Sequence, residues 1–520
     1  MFTLFARSQR VCRAIGLAGT CKPLRRDGFY TSGIIPAMIA EVIGWLYTAV
    51  LAALAVYALH IMILIGLYFR HRHDPQPTPP TPAEAQLPVV TVQVPLRNER
   101  YVAGRVLQAV AALDWPRDRL ELQILDDSDD ETALIVEAEC ARLREQGYQV
   151  TLLHRTHPTG HKAGALAAGT QQAQGEFIAL FDADFCPEPD FLRRTLPQLL
   201  ADPQLGMVQT RWSHLNAEYS PITRAQALAL DAHFAIEHLA RNRSGLLMNF
   251  NGTAGVWRKS AIEDAGGWQC DTIAEDLDLS YRAQLRGWRV RYLPQVTAAA
   301  ELPPLVAAFK QQQYRWAKGA AQCLRKLAGP IVRSRQLRPA QKAMALLHLS
   351  GYFTQPLFLA LMILLLPMAF YRPALPSLSG VLGAIITVPP LLYLLGQLAL
   401  YRDWPRRSLA YPVLMALGMG MAWSNTLALI DGLTHWGGTF HRTPKFHLQA
   451  REGHWQHTSY RIKPDRTMFG EALLGLYTLA AAWQAVRGGQ GELLPLALVA
   501  ISGEALMVGS TLLQARAAAS

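Results

Sequence analysis

The chain has 520 residues, 51% of them hydrophobic and only 17% charged, with a formal net charge of +11. That length exceeds one small domain, and long apolar runs place part of the chain in a lipid bilayer. The basic excess sits beside the apolar runs, as the positive-inside rule expects, and no recognition-helix or base-stacking motif accompanies it, which argues against nucleic acid as a partner. The six cysteines (Cys12, Cys21, Cys140, Cys186, Cys270, Cys323) show neither metal-ligand spacing nor a disulfide framework, as suits a reducing compartment.

Residues 1–38 read as a basic N-terminal extension, disordered or preceding a true start at Met38. Residues 39–69 are long enough to span a bilayer and end in Arg70, His71, Arg72 and His73, which hold that end in the cytoplasm. A proline-rich linker, residues 70–86, follows. From 87 to 300 strands alternate with helices: strands are predicted at 89–95, 120–125, 149–153 and from 177, and helices at 101–113, 131–145 and 162–174. That alternation predicts a cytoplasmic α/β domain with a mostly parallel sheet, whose ligands sit at the carboxyl ends of the strands.

Residues 301–342 form amphipathic interfacial helices, apolar at helical spacing with Lys310, Arg315, Lys318, Arg325 and Lys326 interleaved. A C-terminal membrane domain, 343–520, carries spans near 343–371, 378–401, 469–486 and 493–513. The segment 409–433 also looks apolar. If it crossed, the loop 435–466, with Arg442, Lys445, Arg451, Arg461, Lys463 and Arg466, would fall outside. It is therefore read as an interfacial or re-entrant helix. The expectation is about five spans, with the N-terminus outside and the C-terminus inside.

Chemistry concentrates at six places. Asn98 and Glu99 follow the first strand. Asp126 and Asp127 end the second, and one of them faces the cleft while the other caps the next helix. Lys162 stands near a helix start, where the macrodipole does not favour it; a phosphate or base contact would explain it, and so would solvent. The run FDADF puts Asp182 and Asp184 after a buried strand, with alternation turning both to one face as a seat for a hard cation bearing phosphates. Asp276 lies in the first turn of a helix, where the dipole is expected to keep it ionised as a general base. Gln312, Arg315 and Trp316 share a helical face, suiting the arginine to a pyrophosphate and the indole to a sugar.

The ordered set Asp127, FDADF, AED and QQYRW resembles the D, DxD, TED, QxxRW signature of processive family-2 glycosyltransferases. The phrases VQVPLRNER, LDWPRDRLELQILDDSDDET, QTRWSHLN and FNGTAGVWRKSAIEDAGGW are similar to those of cellulose-synthase-like mannan and glucan synthases and their bacterial relatives. The resemblance implies a GT-A-type domain and an inverting hexosyltransferase. Asp127 would contact the nucleotide base, while Asp182 and Asp184 hold a Mg2+- or Mn2+-bound diphosphate. Asn98, Glu99, Lys162, Gln312 and Arg315 complete the donor site, and Asp276 is the base. Trp316 and the turn Phe250, Asn251, Gly252 and Thr253 would border the acceptor, and Phe440, Thr443 and Lys445 would belong to a gating loop.

Two positions depart from the pattern: Ala274 replaces the threonine of TED, and Arg442 stands where cellulose synthases carry valine. No cyclic-dinucleotide-binding domain follows the last apolar run, so that form of activation is not expected. The partners implied are UDP-glucose or GDP-mannose, a glycan or glycolipid acceptor and the lipid bilayer, and the site of action is a multi-pass position in a bacterial inner membrane. A β-1,4-glucan or mannan product is the leading expectation. The alternatives are transfer to a membrane lipid such as diacylglycerol or ceramide, and a transporter with a soluble regulatory domain.

Overall fold

The computed structural model describes residues 31–76, 79–80, 82–373, 379–438, 443–453, 455–457 and 466–517. Its centre is an eight-stranded sheet: β1 (Val90–Leu96), β2 (Leu120–Asp126), β3 (Gln149–His154), β4 (Phe177–Leu180), β5 (Phe185–Pro187), β6 (Leu205–His214), β7 (Gly255–Arg258) and β8 (Arg289–Ala300), in the order β3-β2-β1-β4-β7-β6-β8-β5. The first four strands pair in parallel, as their intervening helices require. Beyond β4 the sheet turns mixed, because β7 runs antiparallel to both β4 and β6, and β5 antiparallel to β8. This is a mixed α/β domain, with less parallel pairing than the sequence suggests.

β1, β2 and β4 are almost wholly buried, which explains their near-continuous apolar character. The polar residues inside them pair across the sheet: Thr91 donates to Glu121 at 2.6 Å, and Gln93 to Gln123 at 2.7 Å. One core cluster fills one face with Val92, Val106, Leu107 and Phe191. The second joins Trp257, Trp268 and Tyr292 to Leu64, Ile65 and Tyr68 of the helix Thr31–His71, and to Met344 and Leu392. The apolar N-terminal helix is thus part of the domain's own core.

Among the described residues three helical segments are long and apolar enough to cross a membrane: Pro36–His71, Gly351–Tyr371 and Gly491–Ala515. A fourth arises if Trp404–Gly420 and Ala422–Thr434, bent by 49° at their junction, count as one span. This is fewer than the five expected. Of the helix Ser379–Leu400, the fully described part, Thr387–Leu400, is too short to count by itself, and the helix Thr467–Arg487 is diluted by Glu471, Gln484 and Arg487. The run expected at 343–371 begins late, because the helix Pro339–Leu349 closes before Gly351.

Candidate active site

A cavity of about 200 Å³ opens at the carboxyl ends of β1, β2 and β4 and is roofed by the helix Val306–Arg333. Glu99, Asp127, Lys162, Asp182, Asp184, Asn251, Gly252, Asp276, Gln312, Arg315, Trp316, Thr443 and Lys445 all line it. Three other expected residues do not. Asn98, at φ 57°, is turned into a reciprocal pair with Asp129, 2.7 Å through its side-chain amide. Phe250 is fully buried against Trp257, and Thr253 is buried with its hydroxyl accepting the Asp182 backbone N–H at 2.9 Å. Both shape the floor of the site and neither reaches a bound sugar from there. Phe440 and Arg442 lie outside the described residues.

The neighbouring aspartates at 126 and 127 divide their work. Asp126 is buried and bonded to the Ser128 backbone N–H and hydroxyl, and burial pushes its carboxyl up. Asp127 lines the cavity and is gripped by both arms of Arg155, which also bonds the Thr159 and His161 carbonyls. A bidentate guanidinium fixes the plane of a carboxylate, so Arg155 orients Asp127.

β4 ends at Leu180, so Asp182 and Asp184 stand in the turn before β5 rather than on a strand face. The turn closes through Phe185 N–H to the Asp182 carbonyl at 3.0 Å. Each aspartate holds a lysine: Lys162 Nζ is 2.5 Å from Asp182, and Lys445 Nζ is 2.5 Å from Asp184. Lys162 also donates to the Gly252 carbonyl at 3.0 Å and lies 3.8 Å from Glu275. Burial would depress its ammonium pKa, but Asp182 and Glu275 outweigh that and raise it, keeping the charge.

Asp276 caps its own helix, Glu275–Leu285, by accepting the Leu277 N–H at 2.8 Å. The dipole does not decide its state, contrary to expectation: burial, with Glu275 alongside, pushes its carboxyl up to about 7. A base with that pKa is half-deprotonated at neutral pH and well matched to taking a proton from a hydroxyl. Gly252, at φ 80°, lies against it, and a Cβ there would come 2.9 Å from the carboxylate. Arg315 is half-buried at the cavity wall; desolvation lowers its pKa, while Glu275, Asp182, Asp276 and Asp184 all act on it to hold its charge.

Glu275 and Glu301 line the cavity beside the expected residues and were not assigned roles from the sequence. Glu275 adjoins Asp276 and read only as a helix-capping neighbour. Glu301 follows the small-residue end of β8, a strand-end carboxylate like the others. Among the described residues no group of three or more His, Cys, Asp or Glu side chains is placed to hold a metal. The donor set does fit a cation of another kind: Mg2+ is commonly held by one or two carboxylates together with substrate phosphates. Asp182 and Asp184 supply that pair, and an ammonium already rests on each.

Residues 88–319 match the family described as glycosyltransferase like family 2. Among curated relatives, glucomannan 4-beta-mannosyltransferase 2 of Arabidopsis thaliana is 44% identical over 255 residues, 48% of either chain. Glucomannan 4-beta-mannosyltransferase 1 of Oryza sativa subsp. japonica is 44% identical over 254 residues, 48% of this chain and 49% of its own. The chain spans about half the length of these relatives. A solved mannosyltransferase from Pyrobaculum calidifontis, in complex with GDP-Man and Mn2+, is 23% identical, covering 75% of this chain and 99% of its own at a TM-score of 0.47.

Proposed function

Taking residues 88–319 as a family 2 glycosyltransferase domain, we propose that the protein is an inverting hexosyltransferase that extends a β-1,4-linked mannan or glucomannan from a nucleoside-diphosphate sugar, with GDP-mannose as donor. The observation that carries this is the convergence of Asp127, Asp182, Asp184, Asp276, Arg315 and Trp316 on one cavity, from four separate stretches of sequence and in the family's order. The glucomannan mannosyltransferases named above support mannose over glucose.

Asp276 takes the proton from the acceptor hydroxyl as that oxygen attacks the anomeric carbon from the face opposite the diphosphate. Lys162 and Arg315 meet the negative charge that grows on the leaving diphosphate. Asp182 and Asp184 would hold a Mg2+ or Mn2+ ion, which when bound neutralises part of that charge. Asp127, fixed by Arg155, faces the nucleotide base, and the Trp316 indole offers the acceptor sugar an apolar face. The apolar helices anchor the domain at the bilayer, with the active site on the cytoplasmic side, where nucleotide sugars are available, and the product leaves among the helices.

The test is transfer by detergent-solubilised full-length protein supplied with GDP-mannose, UDP-glucose and other sugar nucleotides in parallel, followed by linkage and size analysis. A product of many β-1,4-linked mannosyl units is expected. A single sugar on an extracted lipid would replace this reading with the glycolipid alternative.

A further inference from the structure

The segment 443–448 is locked into the active site more firmly than a loop awaiting substrate needs to be. Phe446 and Leu448 are buried with Leu305 and Ala308, and Thr443 and Lys445 are buried beside them. Glu301 is the clasp: its fully buried carboxylate accepts the backbone N–H of Phe446 at 2.6 Å and that of Leu448 at 3.1 Å, and pairs with Arg105 at 3.0 Å. The Glu301 backbone carbonyl also lies 3.4 Å from Lys445 Nζ. The result of that clasp is the 2.5 Å contact of Lys445 with Asp184.

We infer that Lys445 and a divalent cation are alternative partners of Asp184, and that Glu301 is the positioning residue that sets the 443–448 segment in the lysine-engaged state. The inference rests on the proposed reading of Asp184 as a cation ligand. An ammonium 2.5 Å from a carboxylate oxygen repels a dication seated on that same carboxylate, and the side chains of Lys445 and Asp184 are only 9% and 10% exposed, so water screens little of that repulsion. A cation arriving with the donor's diphosphate must therefore displace Lys445. The released ammonium stays within reach of the phosphates, so donor binding and loop position are linked through one oxygen atom. The arrangement also disfavours a metal resident in the absence of donor, in keeping with the small set of protein ligands available to it.

Mn2+ binding to the detergent-solubilised full chain, followed by the electron paramagnetic resonance signal of free Mn2+ and without any nucleotide, tests this directly. Lys445→Met should bind Mn2+ at least tenfold more tightly than the unsubstituted protein, and Asp184→Asn added to it should abolish the gain. Glu301→Gln should shift Mn2+ affinity in the same direction and speed amide exchange at Phe446 and Leu448, whereas a merely structural Glu301 would leave the Mn2+ affinity where it was. Equal Mn2+ affinity in Lys445→Met and the unsubstituted protein, each lost with Asp184→Asn, overturns the exchange and leaves the cation site standing. Mn2+ binding that does not depend on Asp184 in either protein overturns both.

Discussion

The residue whose state matters most is Asp276. Its two controls pull in opposite directions: the helix dipole favours the carboxylate by about 0.3–1 kcal/mol, while desolvation in the cavity wall beside Glu275 favours the acid. Burial wins, and the carboxyl rises to about 7. The sign of the pH dependence follows. In the base role proposed for Asp276 only the ionised form can take the acceptor's proton, so transfer should fall about tenfold per unit below pH 7 and level off above it. Asp276→Asn should lower transfer by roughly 10²–10⁴-fold while donor affinity, read by calorimetry with a nucleoside diphosphate, stays unchanged. Residual transfer that keeps the unsubstituted protein's rate or pH profile would remove Asp276 from the base role. The sequence could show that a carboxylate stood at a helix start. It could not show the burial, which comes from Gly252, Lys162 and the overlying helix, all distant in the chain.

Elements were legible where periodicity was local and illegible where tertiary contact set the outcome. Strand β2 and the helix Thr132–Glu145 fall within a residue or so of where the sequence places them. The turn that carries Asp182 and Asp184 does not, because β4 stops at Leu180, where its antiparallel pairing reaches Gly255, the first residue of β7. The helix Thr467–Arg487 likewise reads as an apolar run although it carries Glu471, which pairs with Lys310 of another helix at 2.6 Å. That helix, Val306–Arg333, is the element on which the site depends, and its seating is set by Gly319: a Cβ there would lie 2.6 Å from the Ala274 side chain. A threonine at 274 would add atoms at the same contact, which gives the departure from TED a steric reason. Gly319→Ala should shift Arg315 and Trp316 away from Asp276. A displacement near 1 Å costs on the order of 10²-fold in rate, and the overpacking about 1–3 kcal/mol of stability. Ala274→Gly in the same chain should restore much of both, measured as transfer rate and thermal midpoint. No rescue would mean that the helix is seated elsewhere.

At the scale of the whole molecule, the catalytic domain and the apolar helices share one core, so the boundary drawn from the sequence at the proline-rich linker is not a boundary of stability. Leu64, Ile65 and Tyr68, 8% exposed or less, pack with Met344 and Leu392 into the cluster that holds Trp257, Trp268 and Tyr292. Five such side chains, at roughly 1.5–3 kcal/mol each when fully buried, amount to about 10 kcal/mol, an upper figure comparable with the entire stability of an ordinary domain. Polar contacts add to the joint. His60 meets the buried Arg241 guanidinium at 2.8 Å, and Asp231 accepts from Gln397 at 2.9 Å and from Tyr401 at 3.2 Å. Cutting the chain to residues 82–319 would expose the tryptophan-rich face and strip Arg241 of His60 and Asp231 of Gln397 and Tyr401, leaving Asp231 its 3.0 Å contact with His214. The fragment should therefore elute in the void volume on gel filtration and bind no sugar nucleotide. The full chain in detergent should elute as a defined particle that does. A monomeric fragment with donor affinity intact would show that the sheet carries its own stability and that the helices serve only as an anchor.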